Sequence, residues 1–84
     1  MIEAPPGFTV RAVAVEAGCE RRYDEAEWRD AIVVVARGEI ELECVGGDSA
    51  RFDCGSVLWF VGLPLRALRA SGSEPALLVA VSRR

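Results

Sequence analysis

The chain has 84 residues, and its 13 carboxylates and 10 arginines give a formal net charge of −3. It contains no histidine and no lysine. The lack of histidine excludes imidazole metal ligands and Ser-His or Cys-His catalysis within this sequence, and the lack of lysine excludes Schiff-base chemistry. The acidic balance argues against nucleic acid as a partner. An apolar content of 51% allows one domain to bury a core.

The location of the protein is predicted from what the sequence lacks. No apolar run approaches the roughly 18 residues that span a membrane, so we expect no membrane partner. Residues 1–6 carry neither a basic region nor a long apolar region, so no signal peptide is expected. Because Cys19, Cys44 and Cys54 are too few for a disulfide framework, we expect free, buried thiols and a cytoplasmic protein. The frequent use of Arg, Ala and Val is typical of a bacterial source.

The first part of the chain predicts an arm, two strands and a loop. Residues 1–7 are predicted as a flexible arm, because their Pro-Pro-Gly sequence does not fit a central strand. Apolar alternation over residues 8–15 predicts a strand. Residues 19–30 are polar and show no sustained helical stripe, which indicates a loop. The three consecutive valines of residues 31–36 predict a strand that is buried on both faces.

Five further strands are predicted, with a glycine-containing turn between each pair. They cover residues 39–44, 50–54, 57–61, 65–70 and 76–82. Seven short strands without a helix predict an all-β fold, a small sandwich or barrel that forms a single domain over residues 8–84.

The strand over residues 39–44 has one wet face and one dry face. Its glutamates alternate with apolar residues, which is typical of a solvated outer face. If Cys44 pairs with Phe52 across the following turn, Leu42 lies opposite Cys54. These four side chains would then share the inner face.

The second half of the chain resembles the cupin superfamily, a group of small double-stranded β-helix or jelly-roll barrels. The resemblance rests on Gly38-Glu39-Ile40-Glu41-Leu42, on the turn at Gly46-Gly47, and on a glycine-led apolar strand at Gly55-Ser56-Val57-Leu58-Trp59-Phe60. It continues through the turn Gly62-Leu63-Pro64 and ends with Gly72-Ser73-Glu74-Pro75-Ala76. The resemblance implies a cupin-type barrel for this chain.

The metal ligands of that family are not present. When the family's two metal-binding motifs are placed on Gly18, Gly38 and Gly55, its three histidines and one glutamate fall on other residues. These are Asp24, Ala26, Ala31 and Arg66. One carboxylate cannot hold a divalent ion, which needs three or more ligands, so we predict neither metal nor cofactor.

The candidate ligand site follows from placing Arg66 inside this barrel. Arg66 alternates with Leu68 and Ala70, so an inward guanidinium could bind the carboxylate or phosphate of a small anionic molecule. The candidate ligand-binding residues of the barrel interior are Arg66, Asp24, Tyr23, Trp28 and Cys54. Two alternatives are a structural bridge from Arg66 to an acid of residues 24–30, and an Arg66 that faces water.

Three functions remain open at this stage. The first is a non-catalytic binding or regulatory module with a small-molecule pocket in the barrel. The second is a metal-independent isomerase or epimerase acting through Tyr23 and a carboxylate, which ranks lower because few titratable residues converge. The third is a structural dimerisation module. Trp59 and Phe60 must point to opposite faces of one strand, so one of them favours a homodimer interface.

Overall fold

The computed structural model describes residues 6–83, which form eight strands and one helical turn. In chain order the elements are β1 (Phe8–Val15), β2 (Glu20–Arg22), α1 (Glu25–Trp28), β3 (Ala31–Arg37), β4 (Glu39–Cys44), β5 (Ser49–Asp53), β6 (Val57–Trp59), β7 (Leu65–Ala70) and β8 (Ala76–Arg83). The expected all-β fold is confirmed. Residues 1–5 of the predicted arm lie outside the described residues.

The strands form two four-stranded sheets. The first sheet has the order β1-β8-β3-β6, and the second has the order β2-β7-β4-β5. All the paired strands are antiparallel. Consecutive strands cross between the sheets several times, so the chain forms a sandwich rather than two separate hairpin units.

The core lies between the inner faces of the two sheets. Alternation along each strand sends every second side chain inward, as expected for sheets with one covered face. The largest of these side chains are fully buried, and one end of the core is closed by Trp28 of α1 and Phe60. The cluster consists of Val13, Val15, Trp28, Ala31, Val33, Val35, Ile40, Leu42, Leu58, Phe60, Leu65, Leu68, Ala70, Ala76, Leu78 and Ala80.

The segment predicted as a loop, residues 19–30, contains an extra strand and the only helix in the described part of the chain. The carboxylate of Asp24 caps α1 by accepting a hydrogen bond from the Ala26 amide at 3.1 Å. One helical turn is too short to produce a periodic apolar stripe. The signal for this helix was therefore the capping Asp24, not the hydrophobic pattern.

Burial of β3 differs from the expectation of two covered faces. Val33 and Val35 are fully buried between the sheets, but Ile32 on the outer face is 41% exposed. Its outward neighbours are also uncovered in the single chain. The run of valines is typical of a strand with two covered faces, and here only one is covered.

The hairpin between β4 and β5 has a different register from the expected one. Phe52 pairs with Ile40, not with Cys44. The cause is a tight turn, in which the Cys44 amide donates to the Asp48 carbonyl and the Gly47 amide donates back to Cys44. Gly47 has a φ of 97°, which glycine adopts without strain. Phe52 and Cys44 still share the inner face, as predicted.

Candidate functional site

Two crossovers between the sheets meet at one end of the sandwich. The first is α1, which leads from β2 to β3, and the second is the turn of residues 60–64, which leads from β6 to β7. Ile32 at the start of β3 pairs with Trp59 at the end of β6, so the two crossovers lie side by side. We call this end the mouth of the barrel.

A cleft of about 320 Å³ lies between these crossovers, and we call it the mouth cleft. Three aromatic rings form its floor. The ring of Phe60 meets Trp28 edge-on at 5.5 Å and Tyr23 edge-on at 6.1 Å. The complete lining is Tyr23, Glu25, Trp28, Arg29, Asp30, Phe60, Val61, Gly62 and Leu63.

Leu63 also lines a second cleft, of about 240 Å³, at the adjoining end of the β4–β5 hairpin. Its other apolar contributors include Leu42, Phe52 and Leu65. The mouth therefore presents apolar and aromatic surface on both sides of the exposed Leu63 side chain.

The position of α1 over the core is held by two arginines. Arg21 forms an ion pair with Glu27, and Arg11 donates to the backbone carbonyl of Glu27 and lies 3.4 Å from its carboxylate. The Arg11 guanidinium also lies over the Trp28 ring, 5.2 Å from its centroid. Because Glu27 and Trp28 are adjacent in α1, these contacts fix the aromatic floor of the mouth cleft.

Glu27 should make stability depend on pH. The hydrogen bond from Arg21 holds the pKa of the Glu27 carboxyl below its ordinary value. Its stabilisation is therefore present above the unfolded pKa, about 4.3, and is lost as the pH falls through the folded value. Glu27→Gln should lower the free energy of unfolding by about 1–3 kcal/mol at neutral pH, and the difference from the original chain should shrink below about pH 4.

The measurement is urea denaturation at a series of pH values. Glu25→Gln is the matched control, because its ion pair with Arg29 lies on the same helix but is exposed to solvent. This control should change stability little at any pH. An equal loss in both variants would show that the contacts of Glu27 do not hold α1.

The charges around the mouth cleft are not balanced. Arg29 donates two hydrogen bonds to Glu25, at 2.9 and 3.1 Å, which neutralises that pair. Asp30 makes no ion pair within residues 6–83 and is exposed. Burial raises the pKa of Tyr23, and the Glu25 and Asp24 carboxylates raise it further. Tyr23 is therefore a neutral phenol at neutral pH, beside a net negative rim.

Arg66 does not lie in the barrel interior, so its predicted position was wrong. The register between β4 and β7 shifts where Glu43 pairs with Ala67 and Cys44 pairs with Leu65. Arg66 is the extra residue of this bulge, which breaks its alternation with Leu68. Its backbone carbonyl accepts a hydrogen bond from the Tyr23 amide, but its side chain points to the outer face.

On that outer face Arg66 belongs to a network of ion pairs, which we call the outer ion network. Arg66 pairs with Glu43 and with Glu20, and Arg69 pairs with Glu20 at 2.8 Å and with Glu41 at 3.3 Å. A structural bridge from Arg66 was one of the expected alternatives, but its partners lie on neighbouring strands and not in residues 24–30. These arginines are already paired by carboxylates.

Two other predicted interior residues lie elsewhere. Cys54 follows the end of β5, where it is exposed and donates to the Ala36 carbonyl at 3.3 Å. Asp24 is exposed and caps α1. The thiols are free as expected, but Cys19 is also exposed, so the expectation of buried cysteines was wrong for two of the three. Both exposed cysteines neighbour glycine turns, where the strand alternation no longer applies.

Tyr23 and Trp28 are the two predicted site residues that the fold brings together. Asp30, Phe60 and Leu63 were not predicted as site residues. The turn Gly62-Leu63-Pro64 was a possible signal, since loops at the end of a barrel often carry binding residues.

No family model matches the sequence, and comparison with curated proteins finds no match. Solved structures with the same architecture are found. Protein NMB1881 from Neisseria meningitidis superposes with a TM-score of 0.69, over 100% of this chain and 81% of that chain, at 14% identity. A cupin-2 domain containing protein from Shewanella frigidimarina superposes with a TM-score of 0.63, over 98% of this chain and 76% of that chain, at 11% identity. The protein has the cupin fold.

A third structural neighbour is ectoine synthase from P. lautus. It superposes with a TM-score of 0.64 at 25% identity, over 90% of this chain and 53% of that enzyme. The chain thus spans about half the length of this enzyme. The sequence resemblance to cupins is confirmed as a statement about the fold.

The residues at the cupin metal positions do not fit a metal ion. Ala31 is buried in the core, Asp24 is committed to the helix cap, and Arg66 points to the opposite side of its sheet. Within residues 6–83 no three His, Cys, Asp or Glu side chains are grouped so that they could hold a metal ion. That the protein binds no metal in solution stays a prediction.

No helix within residues 6–83 is long and apolar enough to cross a bilayer.

Proposed function

We propose that this cupin-fold domain is a non-catalytic binding module, whose small-molecule ligand enters the mouth cleft. The observation that carries the proposal is the mouth cleft itself, a concave surface over Tyr23, Trp28 and Phe60, in which the Tyr23 ring is partly exposed and the other two rings are 2% exposed. Small-molecule sites are typically concave, mostly apolar and equipped with a few polar groups, and the mouth cleft combines these properties.

The chemistry of the cleft favours a neutral or cationic aromatic ligand. The expectation of an anionic ligand depended on an inward Arg66, whose side chain is paired outside the barrel. Arg29 is the one arginine in the cleft lining, and both of its hydrogen bonds go to Glu25. Asp30 adds a negative charge, and the partly exposed Tyr23 ring can attract a cation. A small arylalkylamine satisfies both features.

Three probes of similar shape test this preference by calorimetric titration. They are phenethylamine, phenethyl alcohol and hydrocinnamate, which are cationic, neutral and anionic at neutral pH. We expect the amine to bind with a dissociation constant on the order of 1 mM and the carboxylate to bind at least about 5-fold more weakly. Tighter binding of the carboxylate would contradict the assignment of ligand charge.

Two substitutions locate the probe in the cleft. Asp30→Asn should weaken the amine about 3-fold and leave the alcohol unchanged, because asparagine retains shape and tolerates the φ of 58° at this position. Leu63→Ala should weaken both probes about 5-fold through lost apolar contact. Val45→Ala is the control, since Val45 is exposed but does not line the cleft. Equal effects of the control and of Leu63→Ala would place the probe elsewhere.

An isomerase or epimerase using Tyr23 is the second candidate, because Tyr23 lines the cleft beside a carboxylate. Its raised pKa leaves a phenol that can donate a proton but does not readily accept one. Glu25, the nearest candidate base, is held by Arg29, which keeps the pKa of the Glu25 carboxyl low. Because Glu25 is a weak base and Tyr23 is a neutral phenol, the cleft is better suited to binding a ligand than to transferring a proton.

A further inference from the structure

The outer faces of the two sheets differ in character. The outer face of the second sheet carries the outer ion network. The outer face of the first sheet is apolar, and three of its large side chains are 41%, 66% and 59% exposed, namely Ile32, Val57 and Trp59. A solvated outer face would carry charges like those of the second sheet, so the first sheet has the composition of a covered surface.

The strand register aligns these apolar side chains in two complete rows. Each row crosses all four strands of the first sheet and contains no charged or polar side chain. One row is Trp59, Ile32, Val81 and Val10, and the other is Val57, Val34, Val79 and Ala12. We call these eight residues the apolar face.

The sequence of β3 also indicates that the apolar face is covered by another surface. Its valine run is typical of strands buried on both sides, yet Ile32 is exposed and Val34 is only partly buried in the single chain. Val81 of β8 continues the same composition and is partly buried, whereas Val79 between its neighbours is only 5% exposed. The apolar surface left uncovered is therefore largest at Ile32, Val57 and Trp59.

We propose that the apolar face binds the same face of a second copy of this chain, with a two-fold axis running between β3 and β8 along the strands. This inference goes beyond the ligand site and does not depend on it. In this arrangement β3 lies over β8 of the other copy, and β6 lies over β1. Each apolar row then meets the identical row in reverse order.

The shape at the end of the face fits this arrangement. Beyond the first row, Phe8, Ile32, Trp59 and Arg83 contribute to a depression of about 590 Å³. The same axis places Trp59 of the second copy over the Phe8 side of that depression, and tryptophan is a frequent anchor of interfaces.

The size of the face is sufficient for a specific dimer. Four strands about 4.8 Å apart, and about 20 Å of strand length between Arg83 and Leu77, give roughly 400 Å² per copy in projection. The accessible area of protruding side chains exceeds their projection, so the face reaches the roughly 500 Å² per partner that a specific interface needs.

Sedimentation equilibrium of the full chain tests the proposal. At about 100 µM the molecular mass should be twice the chain mass of 9.1 kDa. Ile32→Glu places a charge at the centre of the interface and should weaken association at least about 100-fold. Trp59→Glu, on an exposed edge-strand residue that folding does not need, should weaken it at least about 10-fold.

Val45→Glu is the matched control, because Val45 is 71% exposed in the hairpin of the second sheet. It should leave the dimer intact, and far-ultraviolet circular dichroism should show all three variants folded. A monomer at about 100 µM would overturn the proposal. So would a dimer that Val45→Glu disrupts, or one that survives both Ile32→Glu and Trp59→Glu.

Discussion

Replacement of Trp28 by alanine should lower the free energy of unfolding by about 3–5 kcal/mol. Trp28 is 2% exposed and packs edge-on against Phe60 at the mouth of the barrel. Alanine would leave a cavity at this closed end of the core and would remove the surface over which Arg11 lies. A domain of this size has only about 5–10 kcal/mol of stability in total, so most of it should be lost.

Trp28→Phe is the control for this effect, measured by urea denaturation. The indole Nε1 atom is buried and has no hydrogen-bond partner within residues 6–83. Replacement by phenylalanine therefore removes no hydrogen bond to these residues. Phenylalanine also retains the aromatic contact with Phe60. We expect it to recover more than half of the stability lost with alanine, and equal losses in the two variants would contradict the packing argument.

Gly38→Ala should lower the free energy of unfolding by at least about 3 kcal/mol, because two costs add at this position. The φ of Gly38 is 68°, a left-handed conformation that alanine disfavours by about 1–2 kcal/mol. A Cβ atom there would also lie 2.5 Å from the Pro75 carbonyl oxygen. Gly38 joins β3 to β4, and Pro75 precedes β8. Relief of the clash therefore requires the backbone at Gly38 to move away from the backbone at Pro75.

Gly18→Ala separates these two costs. Its φ of 74° is close to that of Gly38, but a Cβ atom there would meet nothing within 4 Å. This control should cost only the backbone strain, about 1–2 kcal/mol by thermal or urea denaturation. A similar loss at both positions would mean that the close approach of Pro75 to Gly38 does not matter for folding.

The strands were largely predictable from the sequence, because alternation and glycine turns are local signals. The predicted bounds of residues 8–15 and 65–70 coincide with β1 and β7. The local pattern fails where one extra residue enters a strand. The bulge at Arg66 is a consequence of pairing with β4, and nothing in the sequence of β7 alone marks it.

The candidate site was less predictable than the fold. Of the residues selected from the sequence, Tyr23 and Trp28 line the mouth cleft. Their common partner is Phe60, which is far from them in the sequence and close only because two crossovers meet at one end of the sandwich. The expectation for Cys54 extended strand alternation one residue past the end of β5.

The cupin fold and the proposed ligand site therefore depend on different residues of this chain. The family resemblance correctly predicted the barrel, but its metal positions hold a helix cap, a buried alanine and a surface arginine. The mouth cleft lies on α1 and the turn of residues 60–64, and the contacts of Arg11 and Arg21 with α1 hold it in place.

The most direct test of the binding proposal is a nuclear magnetic resonance titration of the isotope-labelled chain with phenethylamine. The account predicts saturable shifts in the amides of Tyr23, Asp30 and Leu63 and in the indole resonance of Trp28. Resonances of the outer ion network should remain unchanged. Shifts confined to residues outside the mouth cleft, or no saturable shift up to about 10 mM probe, would contradict the account.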